Sequence, residues 1–335
     1  MIELININES SGTAKYKQIV SSIITAIGEE KLQLGDRIPS LNALKNQHNL
    51  SQDTVLTAYN ELKHRGIISS SVGKGYFVAK TDIAERHNIF LLLDKMTAYK
   101  EVLYDSMKKN TANRAVIDIY FHHGNQKVFN TLIQNAAGNF TAYMIVPIIS
   151  AETDQILTIL PKKKVFIIDQ GIARYGKKYR SICQPFEKDI TKALEQALNE
   201  IKKYNHIYFV HEDQRQQFKE LEKGFITFCH QHQRSFTLQK SLNPHEIKKG
   251  DMYILVDDKD LVLVVKECKN KELSLGTDVG LISYNDSPYK EIIADGITTI
   301  TTDFEQMGQS AIDMLFKNKT EHLENPSKIL FRNSL

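Results

Sequence analysis

A chain of 335 residues with 41% hydrophobic and 25% charged content has the composition of a soluble, folded protein with room for two domains. Its net charge of +3 excludes indiscriminate nucleic-acid binding, so any DNA affinity must come from local placement of cations. Three scattered cysteines (Cys183, Cys229, Cys268) exclude a disulfide framework, and neither a leader-like N-terminus nor a bilayer-length apolar run is present; a cytoplasmic location with no membrane partner is expected.

In chain order, Tyr16, Ile19, Val20, Ile23, Ile24 and Ile27 recur at helical spacing and predict an amphipathic first helix. Pro39 and Ser40 start a short helix with Leu41 and Leu44 inward, and Asn49 permits a tight turn. Ser51 is an N-cap candidate for a third helix to about Leu62, with Val55, Tyr59 and Leu62 buried and Gln52, Asp53 and Thr54 at its exposed start. Residues 67–70 and 76–78 read as two strands joined by a turn with Lys74 between two glycines. Three helices and a two-stranded wing make a winged helix-turn-helix, in which the N-terminus of the third helix meets base edges. From residue 34 to 80 there are six Lys/Arg against three Asp/Glu, a modest excess that suits a dimer drawing affinity from two half-sites.

Gly35-Asp36-Arg37-Ile38-Pro39-Ser40, Leu50-Ser51, Thr54-Val55, Leu62, Gly66 and Gly73-Lys74-Gly75 with Phe77-Val78 resemble the head of the GntR family of regulators. The resemblance implies that Arg37, Ser40, Ser51, Gln52, Thr54, Lys74 and Gly75 contact operator DNA. Ser51 reads equally as a plain helix cap, whereas for Lys74 the reading as a solvated turn lysine is the weaker one. The family often has Glu at the position of Leu41 and Arg at that of Gln52; glutamine reads adenine where arginine favours guanine, so a different operator is expected.

After a polar linker over residues 81–88, short apolar strands are predicted at 89–93, 115–121, 142–149, 164–168, 206–210, 252–256 and 279–284. Helices lie between them, including 99–109 and 190–202. Continuous apolar strands alternating with helices indicate α/β architecture with parallel sheets covered on both faces. Ligands then bind at the carboxyl ends of the strands.

The stretch from Leu275 to Asp286, then residues 297–300 and 303–309, and the closing 330–334, resemble the sensor body of LacI-type regulators. That implies a two-lobed, periplasmic-binding-protein-like (type I) effector domain over residues 89–335, behind a DNA-binding domain over residues 1–80. A GntR head on a LacI-type body is the arrangement of the arabinose-repressor subgroup. It implies a homodimer on palindromic double-stranded operator DNA, repressing a sugar-utilisation operon until a monosaccharide enters the cleft. A pentose or deoxyhexose such as L-arabinose or L-fucose is expected; an activator, or a response to a nucleoside, purine or sugar phosphate, is the alternative.

By the same resemblance, Asp258 starts a helix after a C-lobe strand and Asn285 stands where a sugar-binding aspartate is usual, keeping an acceptor and adding donors. At the first crossover a ligand-binding acid is replaced at about Cys183 and Gln184, and an expected arginine is Leu221. At N-lobe strand ends the candidates are Asp94, Lys95, Tyr99, His123 and Asp169, polar and aromatic groups of the kind a sugar site needs. Asp94 and Asp169 read equally as caps and Tyr99 equally as core; Asp258 has the strongest position, with a cap as its alternative, and His122 reads rather as an exposed turn residue.

No nucleophile elbow, phosphate loop or dinucleotide fingerprint is present, so no enzyme, catalytic residue or cofactor is expected. Cys229-His230-Gln231-His232 hints at a metal, but on a helix residue 230 points away from 229 and 232, and no metal site is assigned.

Overall fold

The computed structural model describes residues 4–9, 13–71, 73–81, 87–212, 216–319 and 322–335. It divides into two compact units: Met1–Phe90 with Ala112–Asp118 and Thr131–Ala142, and Leu91–Thr111 with Ile119–Asn130 and Tyr143–Leu335. The expected linker falls mostly on residues 82–86, outside the described residues; His87 and Asn88, expected in it, already belong to a strand.

At the start of the first unit, α1 (Lys15–Gly28), α2 (Leu41–His48) and α3 (Gln52–His64) precede β1 (Ile68–Ser71) and β2 (Gly75–Val78). The helical spacing places Ile19, Val20, Ile23 and Ile27 in one apolar core with Leu44, Val55, Tyr59 and Leu62. Ser40 caps α2 by accepting from Ala43 N, and Ser51 caps α3 by accepting from Thr54 N. Asn49 adopts the left-handed conformation (φ 49°) between them, a state asparagine tolerates. β1 and β2 pair antiparallel, Ile68 opposite Val78.

Two six-stranded sheets follow. The first has the order β13-β7-β6-β5-β3-β4. Its strands are β3 (His87–Leu93), β4 (Ala115–Phe121), β5 (Ala142–Ile145), β6 (Val165–Asp169), β7 (Arg180–Cys183) and β13 (His322–Glu324). Among them run α4 (Ala98–Asn110), α5 (Gln126–Ala136), α6 (Ala151–Ile156) and α7 (Ile172–Tyr175). The second has the order β14-β12-β11-β10-β8-β9. It comprises β8 (His206–Val210), β9 (Phe236–Gln239), β10 (Asp251–Leu255), β11 (Gly280–Tyr284), β12 (Thr298–Thr302) and β14 (Ser327–Leu330). With it run α8 (Phe186–Gln196), α9 (Leu198–Ile201), α10 (Gln216–Gln231) and α11 (Asp258–Asn270), while α12 (Phe304–Phe316) lies against α4.

Pairing is parallel between β5 and β6, β6 and β7, β8 and β10, and β10 and β11, as buried apolar strands followed by helices demand. β14, by contrast, is antiparallel to β12. The chain passes between the sheets three times: after β7, after β12, and at Asn325-Pro326 between β13 and β14. Two parallel sheets with three crossovers make the expected two-lobed α/β body.

Three sequence expectations change. The strand expected over 142–149 ends at Ile145, two residues before Pro147, which has no N–H to extend a ladder. The helix expected over 190–202 begins at Phe186 and breaks at Ala197 (φ −92°, ψ 7°) into α8 and α9. β7, β9, β12, β13 and β14 were not foreseen: β7, β9, β13 and β14 are only three or four residues long, β9, β13 and β14 are sheet edges, and β12 is four threonines around one isoleucine, so none carries a long apolar run.

Candidate functional site

Two groups of residues come together. In the winged helix, Arg37 bridges to Phe77 of β2, which brings its guanidinium beside the wing. A Cβ at Gly75 (φ +110°) would stand 3.2 Å from Arg37 Nε, so glycine there permits both the turn and the arginine's approach. Arg37 and Lys74 are both exposed, and Gln52 is exposed at the start of α3. Ser51 Oγ lies 2.7 Å from Thr54 Oγ1 and accepts from Thr54 N, while Ser40 Oγ accepts from Ala43 N at 3.2 Å. These three hydroxyls therefore already hold helix starts, and each keeps free valence for a further partner.

The second group surrounds a cavity of about 430 Å³ at the carboxyl ends of strands from both sheets. A small-molecule site is typically roughly 300–1,000 Å³. Seven of the eight candidate ligand residues line it: Asp94, Lys95, Tyr99, Asp169, Gln184, Asp258 and Asn285. The eighth, His123, is outside it, because β4 is an edge strand and its following turn (His123 φ 49°) leaves the ring exposed. Its neighbour His122, expected to be exposed, is buried instead. His122 Nδ1 accepts from Gly124 N at 3.0 Å, which leaves Nε2 to donate to Val146 O at 3.1 Å. Burial depresses this imidazole from 6.5 to about 4, so it is neutral.

On the first-sheet side the polar groups are locked together. Lys100, 3% exposed, ion-pairs with Asp94 and lies 3.5 Å from Asp169. Burial alone would lower this lysine, but Asp169 and Asp94 outweigh it and hold the ammonium above its ordinary value. Asp169 adopts a positive φ (71°) at the end of β6 and accepts from Gln184 Nε2 at 2.5 Å. Neither aspartate is a cap: Thr97 caps α4 and Gly171 precedes α7. Tyr99, half-buried, stacks on Phe304 with ring centroids 4.9 Å apart.

On the second-sheet side the cap of α11 is Asp257, which accepts from Lys259 N at 3.0 Å. Asp258 is thereby released from capping; it accepts from Tyr289 Oη at 2.5 Å and lies 2.9 Å from Lys290 Nζ. Lys290 is buried and also donates to Ser283 Oγ and the carbonyls of Tyr284 and Asn285. Burial lowers it below the ordinary lysine value despite Asp258. Behind these, Arg332 holds Asp286 in a bidentate pair at 2.7 and 3.0 Å. Burial pushes that carboxyl up, but Arg332 and Thr299 outweigh it and keep it low. Phe186, Phe218, Leu221 and Val256 add an apolar wall. His211, in ring contact with Phe218, stands 2.8 Å from Glu222.

Lys100, Lys290, His211 and Arg332 were not singled out from the sequence. A signal existed for Lys100: a cation in the first turn of a helix opposes the helix dipole, which points to a local carboxylate partner. Lys290 sits in a short turn and carried no such mark.

Residues 15–78 match the bacterial regulatory proteins of the gntR family, and residues 176–334 match the periplasmic binding protein-like domain. The HTH-type transcriptional repressor YtrA of Bacillus subtilis (strain 168) is 33% identical over 100 residues, covering 30% of this chain and 73% of that protein. Matches to two other regulators of that organism, YydK and YdfD, span only about a quarter of their length (28% and 24%). Among solved structures, a dimeric Lac repressor with a C-terminal deletion superposes with a TM-score of 0.63 at 12% identity, covering 74% of this chain and 98% of that one. A periplasmic binding protein/LacI transcriptional regulator from Alkaliphilus metalliredigens QYMF, complexed with D-xylulofuranose, gives a TM-score of 0.59 at 13% identity over 74% of this chain and 98% of that one. At these identities the likeness is one of fold.

Proposed function

The chain belongs to the gntR family of bacterial regulatory proteins, transcription regulators rather than enzymes, and from that premise we propose that it is a repressor of a sugar-utilisation operon, released by a monosaccharide in the cleft. The observation that carries the reading is the cavity of about 430 Å³, walled from both sheets by polar groups and aromatic rings, in a chain that begins with a winged helix. Forked polar groups match neighbouring hydroxyls, and Tyr99 or Phe218 offers a flat face to the C–H side of a sugar ring. The sugar-bound Alkaliphilus protein of the same fold supports a pentose-sized ligand.

In this reading residues 1–80 bind a palindromic operator as one half of a cytoplasmic homodimer, and residues 89–335 bind the effector. A ligand touching both walls favours the closed form of the body. Its effect on DNA equals its differential affinity for the DNA-competent and DNA-incompetent states. A full switch from 99:1 to 1:99 requires about 5.5 kcal/mol, which two sites per dimer can share. The arabinose-repressor arrangement makes L-arabinose and L-fucose the first effectors to try.

A thermal-shift screen of the full chain against monosaccharides tests the effector. Ligand at about 100 Kd adds roughly 2.7 kcal/mol of apparent stability. No shift with any sugar overturns the sugar reading. For the DNA side, Arg37→Ala is expected to weaken operator binding by about 10- to 100-fold in fluorescence anisotropy, since a base or phosphate contact contributes on the order of 1–3 kcal/mol. Unchanged affinity would remove Arg37 from the DNA interface.

A further inference from the structure

Gln184 is 3% exposed and lines the cavity, and its Oε1 has no hydrogen-bond partner. Which amide atom is left without a partner is fixed chemically. Gln184 Nε2 donates to Asp169 Oδ1, and a carboxylate oxygen can only accept. Asp169 is in turn held by Lys100. The chain Lys100 to Asp169 to Gln184 thus turns the amide oxygen away from its own partners. A buried acceptor left without a donor is costly, so the ligand that completes this site brings an N–H or O–H to it. From the other sheet, Asn285 also presents a buried Oδ1 without a partner.

The charges around these two acceptors have the same preference. Among the described residues the walls carry seven carboxylates and four lysines. Lys100 is engaged by Asp94 and Asp169, and Lys290 by Asp258. Even with Arg332 set against Asp286, carboxylates remain in excess. Burial pushes the Asp260 carboxyl above its ordinary value, and Asp257 and Glu212 act in the same direction against Lys259. An anionic ligand would enter against this field, and a cation with it.

We infer that the cleft selects an amine-bearing polyol, of amino-sugar type, over its neutral counterpart, and the neutral counterpart over its phosphate, with Gln184 as the acceptor that fixes ligand orientation. The inference rests on the cleft being the effector site. It separates the sugar from the sugar phosphate by charge and donor count rather than by ring shape. Lys100 is a positioning residue in this scheme, acting through Asp169.

The test is calorimetric titration of the full chain at neutral pH with matched triplets: glucose, glucosamine and glucose 6-phosphate, and the galactose and mannose equivalents. The amino sugar is expected to bind at least tenfold more tightly than its neutral parent, and that advantage should shrink as salt is raised, because screening weakens charge attraction. Gln184→Leu should lower amino-sugar affinity at least tenfold, with far-UV circular dichroism confirming that the variant is folded. Neutral sugars binding as tightly as amino sugars, or phosphates binding most tightly, would overturn the inference and leave the sugar-sensor reading standing. No binding in any triplet would also overturn the inference, while the sugar-sensor reading stands or falls separately on the monosaccharide thermal-shift screen, which includes pentoses and deoxyhexoses. The triplets and the salt dependence use the unaltered protein, so the test does not depend on the variant folding.

Discussion

On the first-sheet side of the cleft, Lys100, Asp94 and Asp169 are buried, with side chains 3%, 10% and 10% exposed, and are bonded to one another. On the second-sheet side, Asp258, Asp257 and Glu212 stand 52%, 55% and 78% exposed; Asp258 pairs with the buried Lys290, while Asp257 and Glu212 meet only the exposed Lys259, at 3.9 and 3.6 Å. The strands and helices are arranged alike in the two halves, so the difference is one of solvation rather than topology. A carboxylate in water needs no partner, whereas one out of water needs a cation and further hydrogen bonds. One wall is therefore a pre-set scaffold that fixes Gln184, and the other is a set of charges that a ligand can still recruit.

The sharpest way to break that contrast is to remove the buried cation. Lys100→Met leaves Asp94 and Asp169 facing each other without a counter-charge, and a loss of about 3–5 kcal/mol is expected in urea denaturation. A loss below ~1 kcal/mol would mean that the two walls are equally solvated.

A second expectation follows from His122, at the end of β4. Its folded-state value, about 4, lies below its ordinary 6.5. The protonated ring is thus disfavoured in the fold: the neutral ring's contribution is intact above 6.5 and is lost as pH falls from 6.5 toward 4. By linkage, stability at pH 5 should be about 2 kcal/mol lower than at pH 7.5 from this residue alone. Denaturation curves of the unaltered chain and of His122→Gln at both pH values measure this; an equal pH dependence in the two proteins would show that His122 does not titrate there.

The smallest effect on stability is expected at the exposed wall. Asp258→Ala removes a half-exposed acid from Lys290 and Tyr289, and should cost no more than about 1 kcal/mol in thermal unfolding. The same variant should weaken effector binding measured by titration, because Asp258 faces the cavity. A large stability loss would place it with the buried set and erase the distinction between the walls.

Much of the DNA-binding head was legible in the sequence because its determinants are local. Ser40 and Ser51 cap the helices that follow them, Asn49 turns between, and the stripe from Ile19 to Ile27 needs only helical periodicity to be seen. Strand order was legible only as a class: buried runs such as 89–93 and 206–210 announce parallel strands, but the short edge strands β9, β13 and β14 did not. At the cleft, strand ends pointed to Asp94, Asp169 and Asn285, since in a parallel sheet those ends open on one side. The same rule misled at His123, because it does not say which strand lies at the edge.

What the sequence determined by itself is whatever depends on neighbours within a turn or two: the caps, the helical stripes, the wing's glycines and the alternation of strand and helix. What the tertiary structure decided is which charges leave water together. Lys100 lies six residues from Asp94 but 69 from Asp169, and Lys290 lies 32 from Asp258. Beyond the local carboxylate partner that a first-turn cation at Lys100 calls for, nothing in the chain's local preferences encodes those meetings. They arise when β3 and β6 join one sheet, and when the turn after β11 folds back on the start of α11. Burial then gives each pair its energetic weight, because a charge interacts strongly only where solvent no longer screens it.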